Sequence, residues 1–400
     1  MIKVEDKTNC CGCWACENVC PRMCIEMAED NEGFLYPKVE LSNCIDCKLC
    51  EKVCPIINVA PEILNTKQKG FLLQIKDERI RKESTSGGAF TAIASWVIAN
   101  GGVVFGAFMD INKKRVEHTW VDTIEGLELF RNSKYVQSDI LESFSNCKDF
   151  LNKGKWVCFS GTPCQIEGLM KFLRKKYEKL VTVDVVCYGI PSPGLLKKYL
   201  DWKKEVIGGN FKKILFREKR LCYNYTSFSI YNEEEAKNYH KGVESEQFMR
   251  SFFSNINVRP SCYDCRFKKR YRVSDFTIWD CYDVKMFSNK FDDKGTNRVL
   301  VHSLLGERIM SEITQLIKLE QYENVDFFIA DEIAMVESVP LNNKREQFFS
   351  DYAQMNMETL MNKWFPITMK VRINSFLRKI AFKLGIYNTA KRFVKKMLKK

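Results

Sequence analysis

KWVCFSGTPCQIEGLMKFLRKKY, residues 155 to 177, passes from strand-like to helix-like spacing within one turn. KWVCFS (155 to 160) is a short apolar run suited to a buried strand, and PCQIEGLMKFLRKKY spaces its apolar residues as a helix does. Thr162 is suited to the N-cap and Pro163 to the first helical position, which puts Cys164 in the first turn. The pattern then repeats. LVTVDVVC (180 to 187) reads as a strand, and PGLLKKYLDWKKEV follows the cap Ser192 with Pro193. This succession predicts an α/β domain with a largely parallel sheet.

Cys164 and Cys187 then stand at the carboxyl ends of successive strands, where open α/β sheets place their ligand sites. A helix N-terminus beside Cys164 favours its thiolate. For either cysteine alone, a buried core thiol is the competing reading. Further along, RPSCYDCRFKKRYRVSDFTIWD contains Cys262-x2-Cys265, a chelating knuckle ahead of a strand. With Cys164 and Cys187 it completes a four-thiolate set; structural zinc and a redox dithiol are its rivals. Lys268, Lys269, Arg270 and Arg272 follow it, as a solvated basic face or as a holder of acidic groups.

Toward the N-terminus the cysteine pattern becomes a repeat. Cys10-x2-Cys13-x2-Cys16-x3-Cys20-Pro21 is echoed by Cys44-x2-Cys47-x2-Cys50-x3-Cys54-Pro55. This is the two-cluster ferredoxin run, in which the fourth cysteine of each run serves the other cluster. One [4Fe-4S] cluster is assigned to Cys10, Cys13, Cys16 and Cys54, and the second to Cys20, Cys44, Cys47 and Cys50. Zinc fits poorly with eight cysteines, no histidine and two copies of a cluster-specific spacing. Cys11 and Cys24 fall outside both runs and read as bystanders.

Between head and sheet, STSGGAFTAIASW (84 to 96) sets Ser86-Gly87-Gly88 before a helix, offering backbone N–H groups to a phosphate. An ordinary helix start is the alternative, since the pattern is not GxGxxG. The 23 uncharged residues from Gly87 to Met109 reach membrane-spanning length. Asn100-Gly101-Gly102 breaks them into a helix and a buried strand. His118, His240 and His302 form no triad or metal spacing, so the chemistry is expected to belong to cofactors.

The chain has 400 residues and 45% apolar content, enough for two or three units with a core. Ten of its 18 cysteines crowd into the first 54 residues, a distribution that suits chelation in a reducing, cytoplasmic setting rather than disulfides. MIKVEDKTNC lacks the basic-then-apolar order of a secretory signal. The net charge of +13 is concentrated in residues 366–400, which hold eleven Lys or Arg and no acid. There Ile373, Phe376, Leu377, Ile380 and Leu384 form an apolar stripe, continued by Tyr387, Ala390, Phe393, Val394, Met397 and Leu398. Such basic amphipathic helices suit an anionic membrane surface or an acidic partner, against the alternative of packing on their own domain. No nucleic-acid-binding fold accompanies the charge, so nucleic acid is not expected as a partner.

STSGGAFTA, SKYVQSD (133 to 139), SGTPCQIEGL, VDVVCYGIPSP, the knuckle with RVSDFTIWD, and FDDKGTNRVLV (291 to 301) together resemble the coenzyme F-420 hydrogenase/dehydrogenase beta subunit family. The flavin domain also resembles that of plant 7-hydroxymethyl chlorophyll reductase. The resemblance implies an FAD-binding oxidoreductase domain. It makes Ser86, Gly87, Gly88, Thr91, Lys134, Tyr135 and Gln137 flavin-site candidates, and Cys164, Cys187, Cys262 and Cys265 candidates for a third [4Fe-4S] cluster. WDCYD (279 to 283) departs from the family by carrying Trp279 and Cys281 where a glycine and an aromatic or aliphatic residue are usual.

The expected organisation is an α+β ferredoxin-like two-cluster head (residues 1–60), an α/β flavin domain (61–345) and a basic helical tail (346–400). The expected function is an anaerobic relay. A redox partner protein or reduced ferredoxin supplies electrons, and FAD passes them as hydride to a small-molecule acceptor. Relatives occur beside surface-polysaccharide genes, which suggests that metabolism. The alternative is an electron-transfer subunit that wires a partner enzyme.

Overall fold

The computed structural model describes residues 1–59 and 67–387. In the head, β1 (Ile25–Glu29) and β2 (Leu35–Val39) pair antiparallel. Their turn is fixed by Asp30 Oδ1, which accepts from Glu32 N at 3.0 Å and Phe34 N at 2.9 Å. Two short helices, Ala15–Asn18 and Leu49–Lys52, take equivalent places in the two cysteine runs. Each follows a left-handed residue, Trp14 at φ 67° and Lys48 at φ 59°. The sequence repeat is therefore also a backbone repeat.

The body is built from β3 (Lys69–Ile75), β4 (Val103–Asp110), β5 (Arg115–Val121), β6 (Ser138–Asp139), β7 (Val157–Gly161), β8 (Leu180–Val185), β9 (Phe211–Cys222), β10 (Tyr225–Asn232), β11 (Tyr239–Gly242), β12 (Phe276–Asp280), β13 (Asn297–Val301) and β14 (Ile317–Tyr322). Nine of these strands form one sheet in the order β14-β3-β13-β12-β8-β7-β4-β5-β6. Its centre, β12-β8-β7-β4, is parallel, as the strand–helix–strand pattern requires. The flanks differ: β13, β3 and β14 join antiparallel on one side and β5 on the other. Parallel pairing needs a crossover, which the helix Pro163–Leu173 supplies between β7 and β8, whereas β4 turns straight back into β5. A second sheet, β11-β10-β9, is antiparallel throughout.

The uncharged stretch divides into the helix Ala89–Ala99, a turn with Gly101 at φ 72°, and β4. Among the described residues no helix is long and apolar enough to cross a membrane. The helix after Cys164's turn ends at Leu173, earlier than its apolar spacing suggests, because Arg174 is left-handed at φ 57°. At the first junction Gln165 Oε1 accepts from Thr162 N at 3.0 Å; at the second, Ser192 Oγ accepts from Leu195 N at 3.1 Å.

The C-terminal part behaves in two ways. Helices Arg345–Gln354 and Met357–Trp364 bury Phe348, Phe349, Tyr352, Leu360 and Met361 in one core with Phe34 of the head and Leu195, Leu196 and Tyr199 of the helix Pro193–Ile207. Residues 346–365 thus pack into the body rather than joining the basic tail, because they carry a full apolar face. Helix Met369–Lys383, by contrast, has no buried residue. Its Ile373, Phe376 and Leu377, with Leu384 just past its end, are all more than half exposed. Tyr387 instead packs on Tyr225, with ring centroids 5.4 Å apart. The remaining stripe residues, Ala390, Phe393, Val394, Met397 and Leu398, lie outside the described residues.

Candidate electron-relay site

The head docks tightly on the sheet. A Cβ on Gly168 would stand 3.0 Å from Cys13 Sγ, so the glycine lets the helix after β7 approach the first cysteine run. Arg345 closes the other side, donating to both oxygens of Glu32 at 2.8 and 2.6 Å.

The cysteines converge as three sets. Cys16 lies among Cys13, Cys10 and Cys54, and burial followed by these neighbours raises its thiol well above the ordinary value. Cys54 is likewise pushed up to about 11, mainly by burial. Cys20, Cys44, Cys47 and Cys50 line one cavity, and Ile2 N donates to Cys50 Sγ at 3.2 Å. Cys262 feels burial first, then Cys187, Cys265 and Cys164, which brings the third set together from three separate stretches of chain. Among the described residues no three His, Cys, Asp or Glu converge as on a single metal ion. Four thiols per set, without histidine or carboxylate, match the donor chemistry of a four-iron cluster, whose thiolates attach at its separate irons.

Cys11 and Cys24, outside both runs, lie next to the thiol sets. Cys24 lines the same outer cavity as Cys20, Cys44, Cys47 and Cys50, with its Sγ 3.4 Å from Cys20 Sγ. Cys11 is buried beside both Cys13 and Cys164, so it spans the gap between a head set and the third set. That contact, ahead of Thr162, Arg259 and the Gln165 amide, draws the Cys164 thiol below its ordinary value. Nothing in the spacing signals this, since Cys11 breaks no motif.

Beyond the third set opens a cleft of about 440 Å³ at the carboxyl ends of the parallel strands. Ser86, Gly88, Thr91, Lys134 and Tyr135 line it, as do Thr162 and Cys187. Two candidates do not. Gly87 is wedged in the sheet, where a Cβ would stand 2.4 Å from Leu73 O. Gln137 points to the head, its Nε2 donating to Gly12 O at 2.9 Å.

The cleft has polar residues that sequence patterns missed. Arg217 donates to Asp280 Oδ2 at 2.5 Å and to Tyr135 Oη at 2.9 Å. Tyr223 and Tyr282 donate to the same carboxylate at 3.2 and 3.1 Å, and their rings stack at 5.4 Å. Burial alone would raise Asp280, but Arg217 holds its carboxyl below the usual value. Three buried atoms of lining residues have no partner: His118 Nδ1, Arg131 Nε and Trp279 Nε1. Burial takes His118 down to about 4, so it is neutral and its free nitrogen accepts. A cleft of this size with one spare acceptor and two spare donors fits a polar heteroaromatic group such as a flavin. Cys281 is buried away from the cleft lining.

Of the basic residues after the knuckle, Lys268, Lys269 and Arg272 are internal struts, and Arg270 makes a surface pair. Lys269 pairs with Glu167 at 2.9 Å and Arg272 with Asp184 at 3.0 Å, while Lys268 donates to Cys187 O and Arg270 pairs with Asp326 at 2.5 Å.

Comparison with known families matches two parts of the chain. A profile for the C-terminal part of the beta subunit of coenzyme F420 hydrogenase/dehydrogenase matches residues 154–325, and one described as "4Fe-4S dicluster domain" matches residues 9–57. The chain carries the C-terminal domain of the coenzyme F420 hydrogenase/dehydrogenase beta subunit family. With a dicluster domain beside it, the chain is an iron–sulfur protein of the electron-transfer oxidoreductase class. No curated protein matches it. A chain from the F420-reducing [NiFe] hydrogenase complex of Methanosarcina barkeri is similar at 15% identity and TM-score 0.43, over 75% of this protein and 93% of that chain.

Proposed function

We propose that the protein is a flavin-dependent iron–sulfur reductase that takes electrons from a redox partner protein or reduced ferredoxin and delivers them to a small organic acceptor. On the resemblance alone, that acceptor is drawn from surface-polysaccharide metabolism. One observation carries the reading: Cys187 belongs both to the four-thiol set and to the wall of the cleft. When bound, clusters supply one-electron steps and FAD combines two electrons with a proton as hydride.

The chain's own residues hold and insulate. The twelve thiols of the three sets hold three [4Fe-4S] clusters, one where the head meets the helix Pro163–Leu173, one at the outer cavity and one beside the cleft. Ser86 and Gly88 present the start of helix Ala89–Ala99 to phosphate, with Thr91 on its first turn. Lys134 adds a cation, and Tyr135 is fixed by Arg217. Phe252 and Phe253 keep the wall near Cys187 apolar. We propose a head of residues 1–60, a flavin domain of 61–345 and a helical segment of 346–400, whose residues 346–365 pack on the body and whose basic remainder is peripheral on the cytoplasmic face of an anionic membrane through helix Met369–Lys383.

Anaerobic purification with flavin release, iron and sulfide assays and a pull-down tests this. Bound FAD with about twelve irons per chain, three cubanes, supports a self-contained reductase. No flavin together with tight capture of a partner enzyme replaces it with a wiring role.

A further inference from the structure

Among the described residues five arginines are buried: Arg81, Arg217, Arg259, Arg298 and Arg345. Four meet a carboxylate: Arg81 meets Asp292 at 3.2 Å, Arg217 Asp280 at 2.5 Å, Arg345 Glu32 at 2.6 Å, and Arg298 pairs with Asp331. Arg259 differs. It is 0% exposed, and its acceptors are Cys10 O at 2.8 Å, Leu35 O at 2.9 Å, Gln137 Oε1 at 2.8 Å and Cys10 Sγ at 3.5 Å. None of these is a carboxylate.

A guanidinium stays protonated in proteins, and an uncompensated buried charge is strongly destabilising. Neutral carbonyls satisfy its N–H groups without cancelling its charge. The Tyr36 ring, 4.2 Å from the guanidinium, softens that charge by its quadrupole but does not neutralise it. The Tyr36 hydroxyl is itself buried without a partner. What Arg259 does face is sulfur, at Cys10.

The backbone is shaped for this contact. Gly12, between Cys10 and Cys13, is left-handed at φ 66°, and a Cβ there would stand 2.9 Å from Arg259 Cζ. On its other side Arg259 O accepts from Cys262 N at 2.9 Å, so the same residue anchors a third-set cysteine.

We propose that Arg259 is the built-in counter-cation of the cluster at Cys10, Cys13, Cys16 and Cys54, and that it raises the reduction potential of that cluster. The proposal rests on the cluster reading above. A thiolate-bound cluster is anionic and gains a further negative charge on reduction, so a fixed cation donating to one of its sulfurs favours the reduced form. Arg259 is a positioning residue for electron flow, acting through charge and the N–H to Cys10 Sγ.

The test is a low-temperature EPR redox titration of the full chain, purified anaerobically, as wild type, Arg259→Gln and Arg259→Lys. Arg259→Gln is expected to lower one head-cluster potential by about 59 mV, a tenfold change in its one-electron equilibrium. The cluster at Cys20, Cys44, Cys47 and Cys50 serves as the internal control and stays put, and Arg259→Lys retains most of the wild-type value. Failure of Arg259→Gln to load that cluster, with Arg259→Lys loading it, also supports the counter-cation role. Full iron with unchanged potentials, equal shifts in both head clusters, or equal loss of iron in both variants would overturn it. Wild-type protein purified without iron removes the cluster reading itself.

Discussion

Thr162 Oγ1 and Cys164 Sγ share a hydrogen bond at 3.1 Å, while Thr162 also lines the cleft. The third thiol set and the cleft therefore share a wall, at Thr162 and at Cys187. Substituting Cys164→Ala should lower iron from about twelve to about eight per chain as three cubanes become two. Thr162→Val should leave iron unchanged and move the potential of the third cluster, because one hydrogen bond to its sulfur is gone. Iron and sulfide quantitation with EPR reads both; unchanged iron in Cys164→Ala returns that cysteine to the core.

Asp280 anchors the cleft's polar wall through Arg217, whose side chain is 6% exposed. Removing the charge as Asp280→Asn leaves the buried Arg217 cation without its counter-charge and the two tyrosine hydroxyls with one acceptor oxygen instead of two. Stability should fall by about 3 kcal/mol, with flavin retention lost. Because Arg217 holds the Asp280 carboxyl below its ordinary value, this stabilisation is present above the unfolded carboxylate range and is lost as pH falls through the folded value. Denaturant titrations of the two proteins should converge in acid and differ at neutrality.

Lys134 offers a pH signature. Burial, with Lys213 adding, takes its ammonium down to about 7 while Leu129 O and Arg131 O accept its N–H groups at 3.0 and 2.9 Å. It is a cation below that value and neutral above it. Its attraction for a flavin diphosphate should be present at pH 6 and weaken by up to about tenfold by pH 8, roughly 1.4 kcal/mol. Equilibrium binding of FAD to Lys134→Met should be flat over the same range.

The exposed helix Met369–Lys383 predicts lipid binding that depends on charge. Flotation with vesicles containing anionic lipid should capture the full chain and lose it on deletion of residues 366–400. Capture should also fall in high salt. Equal flotation of both proteins, or capture by neutral vesicles alone, argues for a helix that serves another partner.

The parts legible in sequence were those with a short-range rule behind them. The two cysteine runs have a fixed spacing, and Thr162–Pro163 and Ser192–Pro193 state where helices begin. Parallel pairing followed from the strand–helix alternation around β7 and β8, but the antiparallel flanks did not, because β3, β13 and β14 meet across more than two hundred residues. The β9–β10 pair was hidden by register shifts that blur its alternation. Gln137 resembled a flavin ligand by motif and turned toward the head by geometry. Arg259 sat unread just ahead of Cys262, since a buried charge is invisible until its neighbours are known.

The long reach of β3 has a cost during synthesis. Its FLLQI segment is buried on both faces, and its two edges are matched only by β13 and β14, more than 220 and 240 residues later. On a ribosome adding about 5–20 residues per second, that strand emerges many seconds before its partners. The nascent chain thus carries an unpaired, sticky ribbon through most of its translation, and the yield of folded protein depends on what shields it until residue 322 appears.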